Sequence, residues 1–101
     1  MITGFPSPAQ GYEHNGIDLN SYMIKHPSAT VFMRIESSRY TRMGIYNGDL
    51  LVIDRAKKLN QNSLVVYESE GHFTLGRVFN IKGECIITGA VTYVIHAVKE
   101  V

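Results

Sequence analysis

Asn47-Gly48-Asp49-Leu50-Leu51-Val52-Ile53-Asp54 joins a turn signal to a short apolar run. Asn-Gly suits the positive φ angles of a tight turn, and the run after it reads as a strand. On its N-terminal side, Thr30-Val31-Phe32-Met33-Arg34-Ile35 is rich in β-formers. Downstream, Ser63 to Ser69 and His72 to Phe79 flank Glu70-Gly71, a two-residue hairpin turn. Lys82-Gly83 offers another turn before Cys85-Ile86-Ile87-Thr88. Ala90 to Val98 reads as a last strand, with Val91 and Tyr93 on one face and Val94 and His96 on the other. Before all of this, Asp18 can cap a short helix in which Leu19 and Met23 fall four apart, and Pro27 stops it. Residues 1–16 hold two of the three prolines and three glycines, the composition of a flexible arm. The expectation is a single mostly β domain over residues 17–101 with one short N-terminal helix, preceded by a loose arm.

A chain of 101 residues supports one small core. Hydrophobic residues make up 45% and charged residues 19%, as in ordinary globular chains. Ten Lys+Arg against nine Asp+Glu leave a formal charge of +1, too balanced to imply a strong non-specific grip on nucleic acid. One cysteine, Cys85, excludes an internal disulfide and a Cys-rich zinc cage. No apolar run approaches a membrane span, and the first residues lack the pattern of a signal peptide, so the cytoplasm is the expected compartment.

Three stretches carry a resemblance: Gly4-Phe5-Pro6-Ser7-Pro8-Ala9; Ile17-Asp18-Leu19-Asn20 continuing to His26-Pro27-Ser28-Ala29-Thr30; and Gly44-Ile45 followed by Gly48-Asp49-Leu50-Leu51-Val52-Ile53-Asp54. Together they resemble UmuD, a member of the LexA/UmuD family of self-cleaving serine–lysine proteins. The resemblance spans nearly the whole chain and implies a LexA/UmuD C-terminal-domain-like β fold. It also implies a serine nucleophile activated by a lysine whose burial keeps it unprotonated.

Both catalytic positions are altered. Counted back from Gly44-Ile45 and Gly48-Asp49, the family's serine falls at Arg39, its preceding Gly-Asp at Ser37-Ser38 and its following Met at Tyr40. The family's lysine follows Phe/Val-Thr-Val; here Phe73-Thr74-Leu75 leads to Gly76 and then Arg77. Arginine is no nucleophile and stays protonated, so it is no general base either. The family's scissile bond corresponds to Thr3–Gly4, and with Met1, Ile2 and Thr3 alone before it the chain is expected to be already shortened. Between Phe79 and Cys85 the family carries an extra stretch that this chain lacks.

The resemblance therefore implies a pseudo-protease that forms a homodimer, binds a UmuC-like Y-family polymerase and assists synthesis across damaged DNA in the SOS response. No cofactor, metal, membrane or direct sequence-specific DNA contact is expected. The implied dimer surface lies on the last strand, at Val91, Tyr93, Val94, Ile95 and His96. A RecA filament or a UmuD-like paralogue are further partners. One alternative is a regulatory decoy that forms mixed dimers with an active UmuD or LexA relative; another is a self-cleaving protease using Ser38.

Other residues read more plainly. Ser38 is a loop serine, and Lys57 and Lys58 sit in an exposed connection where lysines keep their protons. His14, His26, His72 and His96 lack metal-ligand spacing and show no nearby carboxylate pattern. Cys85 reads as a buried inert thiol in a strand. Arg39, Arg42 and Arg55 are candidates for a small basic patch.

Overall fold

The computed structural model describes residues 18–99. The expected arm over residues 1–16, and with it Thr3, Gly4 and His14, lies outside the described residues. Asp18 caps helix α1 (Leu19–Met23), its carboxylate accepting from the Asn20 N–H at 3.1 Å and the Ser21 hydroxyl at 2.9 Å. A 3-10 turn at Pro27–Ala29 then leads into β1 (Thr30–Arg34).

Four more strands follow: β2 (Leu50–Asp54), β3 (Leu64–Ser69), β4 (His72–Arg77) and β5 (Ile86–Ile95). They form one antiparallel sheet in the order β1-β2-β5-β3-β4. The hairpin between β3 and β4 turns at Glu70-Gly71, both with positive φ (54° and 80°), as the primed turns of two-residue hairpins require. Glycine or Asn suits such positions best, and Glu70 adopts one without that advantage.

The C-terminal part corrects the sequence reading. Cys85–Thr88 and Ala90–Val98 are not two strands: the one strand β5, Ile86–Ile95, joins their inner parts through Gly89 and is the middle strand of the sheet. Its first half pairs with β3, from Glu68↔Ile86 to Val65↔Ala90, and its second half with β2, from Asp54↔Ala90 to Leu50↔Ile95. Bulges at Thr88 and Thr92 interrupt the two ladders, and the Thr92 hydroxyl donates to the Val52 carbonyl at 3.2 Å. The extra residue at Thr92 changes which side chains share a face. Val91 and Val94 lie opposite the core residues Ile53 and Leu51, whereas Tyr93 lies opposite Val52 on the other face. The expected grouping of Val91 with Tyr93 is thus overturned by the bulge.

Gly89 sits where the strand passes from one ladder to the other. A Cβ there would lie 2.9 Å from the Asp54 carbonyl oxygen and 3.0 Å from the Arg55 Cα, so only glycine admits this approach. The core gathers Ile35, Ile45, Leu51, Ile53, Val66 and Leu75, with Tyr40 and Val91 packed against it. Each such aliphatic side chain contributes about 1.5–3 kcal/mol of transfer free energy.

Strand β2 is buried from Leu51 to Asp54 and is held at both ends by a carboxylate. Asp49, 1% exposed, accepts from the Tyr46 N–H at 2.8 Å and from the His96 Nδ1–H at 2.5 Å. Asp54, 5% exposed, accepts from the His26 Nδ1–H at 2.6 Å and from the Ala56 N–H at 2.9 Å. Both histidines are about half exposed, in line with the surface or part-buried reading, and each is tied to a buried carboxylate that the sequence did not indicate. Their carboxylates are 47 and 28 residues away, so no local pattern announces them.

Both carboxyl groups are held below the ordinary 3.8. For Asp49 the Tyr46 N–H does most of this, with burial opposing and His96 adding to it. For Asp54 burial is the largest influence and acts upward, but hydrogen bonds from His26, Ala56 and Lys57 together outweigh it. A lowered folded pKa stabilises the fold above the unfolded carboxyl value, and that contribution is lost as pH falls from about 4 through the lowered values. Urea unfolding between pH 6 and 2.5 should therefore show stability falling most steeply below about pH 4. In an Asp49→Asn/Asp54→Asn variant the slope in that window should flatten, and an unchanged slope would contradict the assignment.

Candidate functional site

The β1–β2 connection is closed at its base, where the Ile35 N–H donates to the Asp49 carbonyl at 2.8 Å and the Gly48 N–H to the Ile35 carbonyl at 2.7 Å. Within it a 3-10 turn at Thr41–Met43 ends on Gly44, whose φ of 80° permits the left-handed cap. This shape brings Ser37, Arg39 and Tyr40 against the edge strand β4. There they line a cleft of about 360 Å³ floored by Ile35, Leu51, Val66 and Leu75.

Tyr40 fastens the loop to the sheet. In a two-residue hairpin the flanking Ser69↔His72 pair is hydrogen-bonded, so alternation leaves the Leu75 N–H pointing away from β3. The Tyr40 hydroxyl accepts that N–H at 3.2 Å and so occupies a donor on the free edge. Arg39 precedes it, with its N–H donating to Ser37 Oγ at 3.0 Å and its guanidinium 5.8 Å from the Tyr40 ring centre.

Gly76 lies on β4 opposite Val65. A Cβ at Gly76 would make ordinary contact with the Tyr67 ring, 3.6 Å from Cε1 and 3.9 Å from the hydroxyl. Tyr67 is the diagonal cross-strand neighbour, and its ring covers the position. Arg39, Tyr40, Tyr67 and Gly76 line one shallow depression beside the cleft. The loop position and the strand position singled out by the sequence therefore meet in space. The roles of Tyr40 and Tyr67 were not foreseen; only the cross-strand register and the loop's closure bring them here.

Among the described residues no lysine lines the cleft or the depression. Ser37 and His72 both line the cleft without a hydrogen bond between them, and the Ser37 oxygen already accepts from Arg39. Ser38 is exposed and lines neither space; its carbonyl accepts from the Thr41 hydroxyl at 2.7 Å. Lys57 and Lys58 are exposed on the β2–β3 connection, as expected. Arg55 follows β2 at the end opposite the loop that carries Arg39 and Arg42, so the three do not belong to one connection. Cys85 is half-buried and precedes β5, which corrects its placement within a strand. Among the described residues no group of His, Cys, Asp or Glu converges as a metal site, and no helix is long and apolar enough to cross a membrane.

Comparison with known proteins agrees with this geometry. The Peptidase S24-like family matches residues 1–87. Protein ImpA of Salmonella typhimurium is 39% identical over 115 positions, covering 96% of this chain and 79% of the relative. That alignment is longer than the chain, so the relative carries residues that this chain lacks. Protein MucA of Escherichia coli is 40% identical over 86% of this chain and 60% of its own length. The LexA repressor of Shewanella woodyi is 32% identical over 85% of this chain and 41% of its own. With the family matched over most of its length and a five-stranded antiparallel sheet behind one short helix, the chain belongs to the Peptidase S24-like family as a UmuD-like member.

Proposed function

We propose that the chain is a non-hydrolytic, UmuD-prime-like accessory subunit that acts by contact with an error-prone, UmuC-like polymerase in SOS translesion synthesis. The observation that carries this reading is the meeting of Arg39 and Gly76 at one depression, where the resemblance calls for a serine and a lysine. A guanidinium cannot attack a carbonyl carbon, and glycine offers no base. Tyr67 fills space beside Gly76, and Tyr40 holds an edge N–H that an extended substrate would need. The similarity to ImpA and MucA supports a role alongside theirs. Incubated at alkaline pH or with a RecA filament, the chain should keep its intact mass; a product beginning at Gly4 would overturn the reading.

The reading includes a homodimer built on the second half of β5. From Val91 onward the ladder runs to β2 alone, since the β3 ladder ends at Val65↔Ala90. Ile95 and Phe32 are 44% and 53% exposed, and register places both on the face of Tyr93. Such an apolar face with an open margin suits a second copy. Ile95→Lys should give a folded monomer by light scattering and circular dichroism. Val94→Lys, on the opposite face and 36% exposed, should leave the association state unchanged. A wild-type monomer at micromolar concentration would contradict the dimer.

A further inference from the structure

The end of α1 and the start of the β2–β3 connection meet over the bulge of β5. They enclose a depression of about 380 Å³ lined by Lys25, His26, Lys57, Thr92 and Tyr93. Lys57 also lines an adjoining depression of about 270 Å³, together with Asn60, Asn62 and Arg77. Among the described residues the one carboxylate lining either space is Asp54, which is buried and already accepts from His26 and Ala56. The linings of the two spaces therefore carry an excess of cations, with the exposed Asp18 carboxylate held at Ser21 beside Lys25.

Glu68, Glu70 and Glu84 line a separate depression at the hairpin end of β3, about 17 Å along that strand from its start near Asn62. The near-zero net charge thus hides a local excess of cations around Lys57. Two of the cations are held by the frame. Lys25 Nζ donates to the Ser21 carbonyl at 3.3 Å and stands 6.0 Å from the Tyr22 ring centre, and Arg77 Nη1 donates to the Asn62 carbonyl at 3.0 Å. Tyr22 is 56% exposed and Tyr93 is partly exposed.

We propose that this face binds the phosphodiester backbone of single-stranded nucleic acid, with Lys25, Lys57 and Arg77 meeting phosphates and the exposed Tyr22 offering its ring face to a base. An acidic peptide would use the cations and leave the Tyr22 ring idle, which is why an exposed aromatic beside Lys25 favours a nucleic acid. The contact is independent of sequence, and it goes beyond the accessory-subunit reading because it needs no polymerase.

The test is fluorescence anisotropy of a labelled oligo-dT titrated with the full chain at low salt. Lys25→Gln/Lys57→Gln is compared with Arg42→Gln/Lys82→Gln, which has the same net charge but lies outside this face. The first pair should weaken binding by about tenfold and reduce the log–log salt slope by about 1.4, since each phosphate contact on a single strand contributes about 0.7. The control pair should change binding by less than about twofold. Tyr22→Ala should weaken binding and leave the salt slope unchanged. Absence of wild-type binding, equal losses in the two pairs, or equal displacement of the oligonucleotide by poly-glutamate would each overturn the proposal.

Discussion

The arrangement on which the rest depends is the anchoring of β2 at both ends by buried carboxylates. Asp49 closes the Tyr46–Asp49 turn with its side chain and takes the His96 ring from beyond β5. Asp54 holds His26 from before β1 and the Ala56 amide in the next connection. Three strands are thereby set in register around one apolar segment. A buried carboxylate without partners would be costly, so each anchor holds only while its donors stay in place. The same Asp49 end fixes the base of the 35–49 loop. The positions of Tyr40 and Arg39 at the cleft follow from that closure.

The cleft beside β4 is lined by groups that hold and fill. Tyrosine hydroxyls, a tyrosine ring and a guanidinium stand around a floor of core aliphatics. These groups bind and fill; a serine–lysine mechanism needs instead a hydroxyl beside a desolvated amine. On the proposed reading the loss of hydrolysis leaves surfaces as the working parts. They are the open half of β5 and the cationic face near Lys57.

Much of the fold was legible where its cause is local. Glu70-Gly71 announces its hairpin because two adjacent positive φ angles are needed there, and Asp18 announces α1 because the cap lies beside the helix it serves. The course of β5 was not legible. Gly89 reads as a break in an apolar pattern, yet it is required by the close passage of Asp54 and Arg55, which no local window contains. The bulge at Thr92 likewise reverses the faces that strict alternation assigns. At the site, Arg39 and Gly76 were found through the family resemblance alone, and their juxtaposition needed the fold. Tyr67 was invisible because its role depends on a diagonal pairing across β3 and β4.

On the proposed reading this chain works uncut, as a bound subunit. Size-exclusion chromatography with light scattering on the chain mixed with a UmuC-like polymerase, followed by intact mass of the co-eluting peak, tests it most directly. One complex containing two uncut chains per polymerase is expected. A polymerase that elutes alone, or a complex whose small subunit has been shortened, would contradict it.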